Sequence, residues 1–191
     1  MAKPIQVYTS IGFGIASFIV AFVFGSFLTM TTGIPLIGGL LNGVLTAMVL
    51  TVGLVSTRFF GSATLMWLVF SVCASITTTL GPPGLYKVVI AVIAGIIWDI
   101  IYRMSKSTRW GLYLGAIVGS ASIMFTLITA LTMGFGKDAA QALERYKGAF
   151  YFILAANLLV TVIGVYLGDV IYRTRLANLQ VFRNLKRHAD E

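Results

Sequence analysis

The fold class this sequence predicts is an all-α integral membrane protein of six transmembrane helices, with both termini in the cytoplasm. Three observations carry that expectation. Hydrophobic residues make up 58% of the 191-residue chain and charged residues 10%, too little polar surface to keep a domain of this size dispersed in water. Six stretches are apolar over about 20 residues, the length that crosses a hydrocarbon core of about 30 Å. The basic residues also fall on alternate connections between those stretches, ten on one side and four on the other.

The first stretch, 7–30, is too long for a signal peptide and lacks a clear Ala-x-Ala cleavage site, so it is read as a retained span. Gly12 and Ala16 are four apart on it, and so are Ser17, Ala21 and Gly25. Small residues at that spacing let another helix approach closely, from the same chain or from a second subunit. The second stretch, 33–55, comes after Thr29, Thr31 and Thr32 and carries Asn42. The third, 62–80, ends in Thr77, Thr78 and Thr79 and meets a Gly-Pro-Pro-Gly break at 81–84. The fourth, 84–102, has Tyr86 and Lys87 at its start and Asp99 near its end. The fifth, 110–134, sets Thr126, Thr129 and Thr132 on one helical face. The sixth, 149–172, carries Asn157 and ends beside Asp169.

The chain is expected to form one domain over 1–191, with a basic tail at 173–191. The connection 134–147 has room for a short helix with Glu144 and Arg145 on its polar side. The tail repeats Leu176, Leu179, Phe182 and Leu185 among basic residues, which suits a helix continuing the sixth span or lying on the anionic inner leaflet. A surface anchor and a docking segment for a cytoplasmic partner both fit this pattern.

Charge sets the orientation. Lys3, Arg58, Arg103, Lys106, Arg109 and the basic tail share one side; Lys87, Lys137, Arg145 and Lys147 share the other. The positive-inside rule places the first set in the cytoplasm, so topology accounts for the net charge of +8 and nucleic acid is not implied. "WDIIYR" at 98–103 recurs as "GDVIYR" at 168–173, and "GSATLM" at 61–66 as "GSASIM" at 119–124. Spans three and four are thus a candidate diverged copy of spans five and six. In each copy the acid and the arginine, Asp99 with Arg103 and Asp169 with Arg173, are four apart and face one side of a helix, which predicts two structural ion pairs.

Several function classes lose their chemistry here. One cysteine, Cys73, permits no internal disulfide or Cys-x-x-Cys motif, and one histidine, His188, gives no basis for a zinc site or triad. No metal site, cofactor or enzymatic activity is expected. What remains is a gathering of polar groups in the outer half: Thr32, Asn42, Thr78, Thr79, Tyr86, Lys87, Thr129, Tyr151 and Asn157 are the candidate substrate-binding residues. Each has a plainer reading. Membrane threonines commonly bond their own helix, asparagine joins helices, lysine snorkels, and tyrosines form interfacial belts. Their bias to one side points to a cup open to the outside, since polar residues within a membrane mark substrate pathways. Lys87 at its mouth suits a neutral or anionic organic ligand.

These features resemble the substrate-binding S component of an energy-coupling factor (ECF) transporter. The resemblance rests on six spans in this length, small residues on the first helix, and "GPPGLYKVVIAVIAGIIWDIIYR" at 81–103, which is similar to the fourth-helix region of such proteins. It implies capture of a vitamin-like organic micronutrient at the outer face of a prokaryotic plasma membrane. It also implies a transmembrane coupling protein and two cytoplasmic ATPases as partners, for which Gly12, Ala16, Ser17 and Ala21 are the candidate docking residues. This chain has no Walker motif of its own. A small independent permease or channel is the alternative, and it would require polar groups through the inner half as well.

Overall fold

A computed structural model describes residues 3–33, 35–77, 83–134, 147–180 and 182, with side chains described at all of these except 29, 32, 35–39, 127–134 and 147–150. Among the described residues every regular element is helical: α1 (Pro4–Thr32), α2 (Pro35–Thr57), α3 (Ser62–Ser75), α4 (Tyr86–Met104), α5 (Arg109–Gly134) and α6 (Lys147–Ile171). α6 runs directly into a π-helical turn, Tyr172–Leu176. Proline stands first in both α1 and α2, where its fixed φ suits a helix start and its missing N–H costs nothing. Among the described residues three segments, Pro4–Leu28, Leu40–Thr57 and Tyr151–Leu176, are long and apolar enough to cross a membrane. The outer surface agrees: Met30 is 84% exposed, Tyr8 73% and Phe27 63%, which suits lipid and not water. This is a helical membrane protein.

The helices pack in a closed ring, in the spatial order α1, α2, α6, α5, α4, α3. Chain neighbours are antiparallel. Gln6 Nε2 donates to the Thr57 carbonyl at 3.0 Å at one end of α1 and α2, while Gly25 meets Asn42 toward the other. The two remaining junctions are parallel. On α1 and α3, Gly14 lies against Met66 and Val69, and Ala21 clusters with Phe70 and Ala74. On α2 and α6, Gly43 meets Val160, Gly164 meets Val44 and Ala47, and Gly168 meets Met48 and Thr51.

Close approach at that last junction requires glycine. A Cβ on Gly164 would strike the Val44 carbonyl oxygen, and one on Gly168 would lie 2.6 Å from the Met48 carbonyl oxygen. Gly115 and Gly119 serve α5 in the same way against Trp98 and Ala94 of α4. Both pairs have the four-residue spacing with which membrane helices bring their backbones together, where dispersion is the main attraction available. α1 buries a stripe of small and polar residues, Gln6, Ser10, Gly14, Ser17, Ala21 and Gly25, and turns its large apolar residues outward.

The core is asymmetric along the bundle. Its larger part lies at the end that holds Arg58, Arg103 and Arg173, where Leu50, Leu54, Met66, Trp98, Leu112 and Val165 form one cluster. α2 is buried without interruption over 50–57 there. At the other end a smaller aromatic cluster joins α1 to α3: Phe18 and Phe70 meet edge to face at 6.2 Å, and Trp67 and Phe70 at 5.5 Å. On the α2, α5 and α6 side of that same end, none of the residues described at 40–45, 121–126 and 151–160 is buried.

Five of the six expected spans coincide with helices to within about three residues, the usual play of such boundaries. The third does not. Expected over 62–80, α3 ends at Ser75, so its 14 residues rise only about 21 Å, short of a bilayer core. Ile76 caps it, and both the N–H and the hydroxyl of Thr77 turn back to the Ala74 carbonyl. The tail continues α6 by one π turn, in line with one of its two expected forms, and then leaves the helix at 177–179. After the π turn, Phe182 folds its ring edge to face on Tyr172 at 6.1 Å, and Leu176 and Phe182 pack on the core while Leu179 stays 51% exposed. The short helix expected within 134–147 and the tail beyond 182 lie outside the described residues.

The two kinds of glycine predict opposite outcomes. Gly168→Leu should lower stability by about 1–3 kcal/mol or more through overpacking, read as an earlier thermal transition and loss of a monodisperse peak in mild detergent. Gly12→Leu, on the exposed face with nothing within 4 Å of its new Cβ, should leave both unchanged.

Candidate functional site

Two groups of polar side chains link neighbouring helices within the bundle. The first is the α5–α6 contact. Asn157 Nδ2 donates to Ser120 Oγ at 2.6 Å, and Ser120 Oγ lies 3.0 Å from Thr161 Oγ1. Thr161 gives its own proton to the Asn157 carbonyl at 2.8 Å, so Ser120 is the donor to Thr161 and the three side chains form one directed chain. Ser120 and Thr161 are buried, whereas Asn157 is half-buried, within the stretch of α6 that has no buried residue. The Asn157 Oδ1 acceptor has no partner among the described residues. A carboxamide held by one N–H and free at its oxygen can accept a hydrogen bond from a ligand without reorganising.

The second group lies at α3, whose ends both receive charges from α4. At its start Gly61 has a left-handed backbone, φ +97°, and offers no side-chain cap. Asp99 supplies the cap instead. Its Oδ1 accepts from the Ala63 N–H at 3.1 Å, and its Oδ2 accepts from the Thr64 N–H at 2.8 Å and the Thr64 hydroxyl at 2.6 Å. At the other end Lys87 Nζ donates to the carbonyls of Ala74 at 3.1 Å and Thr77 at 2.7 Å. Carboxylate at the N-terminus and ammonium at the C-terminus complement the helix dipole, and in a water-poor setting they satisfy backbone groups that nothing else reaches.

This arrangement corrects one expected ion pair and keeps the other. Asp99 does not serve Arg103; its oxygens go to the backbone and hydroxyl of α3, and Arg103 is exposed. Asp169 does pair with Arg173, Nε to Oδ1 at 2.6 Å, and it also holds Arg109 Nε at 3.2 Å, tying α5 to α6. The two copies of the Asp-x-Ile-Tyr-Arg string therefore make different contacts.

The candidate binding residues are dispersed. Lys87 is 3% exposed and turned to the α3 carbonyls, so the ammonium expected at the mouth of a cup points into the protein. Asn42 packs against Gly25 in the α1–α2 contact, its buried Oδ1 without a hydrogen-bond partner, on a face of α2 different from the one that meets α6. Tyr86 is half-buried, and Tyr151 is 71% exposed on the outer surface. Thr78 and Thr79 lie outside the described residues, as do the side chains of Thr32 and Thr129. On α1, Ser17 and Ala21 are completely buried against the neighbouring helices of the same chain, whereas Gly12 is open and Ala16 half-open. Sequence reasoning passed over Ser120 and Thr161. Their signal was available: polar residues that fall inside two otherwise apolar spans and must find each other. No family model, curated protein or solved structure matches this chain.

The clamp on α3 predicts two costly substitutions. Lys87→Met should destabilise the folded protein by about 1.5–3 kcal/mol, the range for hydrogen bonds to a charged group. Asp99→Asn, which turns an amide N–H toward backbone N–H groups, should cost a similar amount, while Arg103→Gln should cost little. Thermal unfolding of the three variants in one detergent ranks them.

Proposed function

We propose that this protein is the membrane-embedded substrate-binding component of an ATP-driven importer of the energy-coupling factor type, with six membrane helices, α3 being the short one, and both termini in the cytoplasm. The observation that carries the reading is the asymmetry of packing. The basic end of the bundle is filled by an unbroken core. At the opposite end none of the residues described at 40–45 of α2, 121–126 of α5 and 151–160 of α6 is buried, and the Asn157–Ser120–Thr161 chain borders that stretch. A protein that captures a solute on one side, and relies on partners to deliver it, needs a closed inner half and an open outer half. A permease or channel working alone needs a polar route through both, and the continuous burial of α2 over 50–57 is unfavourable to one.

The ligand is an uncharged organic micronutrient of vitamin type. With Lys87 engaged by α3, the case for an anionic ligand loses its carrier; Asn157, with one acceptor open, favours a ligand that presents an N–H or O–H. A transmembrane coupling protein and two cytoplasmic ATPases supply the energy. Of the small-residue positions on α1, Gly12 and Ala16 are the ones free to receive a partner helix, since Ser17 and Ala21 are enclosed.

Mass spectrometry of the protein purified in mild detergent tests this directly: a stoichiometric small organic molecule is expected, and its absence from fully folded, freshly purified protein counts against the reading. Asn157→Ala should weaken that ligand by about 0.5–1.5 kcal/mol. Cysteines placed at Ser105 and Asn184 in a Cys73→Ser background should label from the cytoplasm, and one at Ala140 from outside. External labelling at Ser105 would invert the bundle and place the open end on the wrong side.

A further inference from the structure

The basic end of the bundle distributes its arginines unevenly. Arg109 and Arg173 share the carboxylate of Asp169. Arg103 has an acid one turn behind it, Asp99, but that carboxylate is committed to the start of α3. Arg58 and Arg103 thus have no carboxylate partner among the described residues, and both are exposed. They face one cleft, formed where the α2–α3 turn approaches the α4–α5 turn, lined also by Phe60, Tyr102 and Ser107. Arg58 Nε donates to the Val55 carbonyl at 3.2 Å, which ties its side chain to the end of α2 and leaves the terminal nitrogens available. Phe60, 61% exposed, stands beside them at the end of a membrane-crossing helix.

We infer that the two exposed arginines at the rim of this shallow cleft hold the phosphodiester headgroup of an anionic phospholipid. The fit is chemical. Guanidinium groups bind phosphate oxygens through paired, charge-assisted hydrogen bonds, and two of them outnumber the single carboxylate of the cleft, Asp99, so the site stays net positive. Both oxygens of Asp99 are already turned to hydrogen bonds with α3, so it opposes a phosphate less than a free acid would. The cleft lies at the end of a spanning helix, at headgroup depth, where anionic lipids attract basic side chains. The exposed Phe60 ring belongs to the same level, next to the acyl chains. The inference needs only that the helices cross a membrane; it does not rest on the transport reading.

Native mass spectrometry of the full-length protein, incubated with equimolar phosphatidylglycerol and phosphatidylcholine in mild detergent, tests it. The wild type should retain the anionic lipid over the zwitterionic one by about tenfold, and Arg58→Gln/Arg103→Gln should fall to near parity. Arg175→Gln, an exposed arginine on the π turn, should keep the preference. The Arg58→Lys/Arg103→Lys protein, charged but without the guanidinium fork, should fall between the two. If the double glutamine variant does not fold, Arg103→Gln alone is read in its place. Parity in the wild type overturns the inference, and so does a preference undiminished in the glutamine variant. Displacement of the lipid by millimolar inorganic phosphate would make this a free-anion site and would equally overturn it.

Discussion

α3 survives in the membrane because α4 finishes it at both ends. A helix of 14 residues buried among others has N–H groups at one end and carbonyls at the other that its own ladder cannot satisfy. Asp99 reaches the first set and Lys87 the second. The two side chains are twelve residues apart on α4, about 18 Å along the axis, close to the length of α3 itself. Antiparallel packing puts the acid at the positive end of the α3 dipole and the base at the negative end. Each charge alone would be expensive at that depth; aimed at helix termini, each satisfies backbone groups that lipid would leave orphaned. The register of α4 against α3 is therefore held at two points, and little sliding is possible between them.

The rest of the ring is built outward from this fixed pair. α3 lies parallel to α1, which meets it with Gly14, Ala21 and the Phe18–Phe70 contact. α4 lies against α5 through Gly115 and Gly119, and α5 joins α6 through Ser120, Asn157 and the shared Asp169. α2 closes the ring against α6 and lies deepest at the basic end. Small residues set the spacing between helices, while charged and hydroxyl groups set the register. The result is one end filled by a buried core and one end where none of the residues described at 40–45, 121–126 and 151–160 is buried, although α6 still touches α2 at Gly43 and α5 at Ser120.

The legible part of this fold was its apolar length. Five helices could be located because each is a long, largely apolar stretch ended by a charge, a glycine or a proline. The expected end of α3 lay at Leu80, beyond three threonines, whereas the helix stops at Ser75, where Thr77 turns back and Lys87 of another helix takes the free carbonyls. The same limit explains the Asp99 error. The string around Asp99 and the string around Asp169 are nearly the same, and spacing alone assigns each acid the arginine four residues on. Which acid is diverted depends on whether an uncapped helix start lies opposite, and that is a property of the packed ring. The polar chain from Asn157 was half visible: Asn157 stood out in an apolar span, but its partners Ser120 and Thr161 are residue types that usually bond their own helix. The small-residue spacing on α1 was visible too, yet only three-dimensional packing separates Ser17 and Ala21, facing inward, from Gly12, facing out.

The π turn at Tyr172–Leu176 ties the end of the chain to counting. Each residue added to a helix rotates the next segment by about 100°. A π turn inserts one more residue than the α ladder would hold, here closed by the Ala177 N–H to the Tyr172 carbonyl at 2.7 Å. That single extra step aims Phe182 back at Tyr172. Deleting one residue within the π turn would rotate the segment that follows by about 100° about the helix axis, though every remaining side chain kept its chemistry. At this junction a frameshift of one position in the helix matters more than the identity of the residue removed.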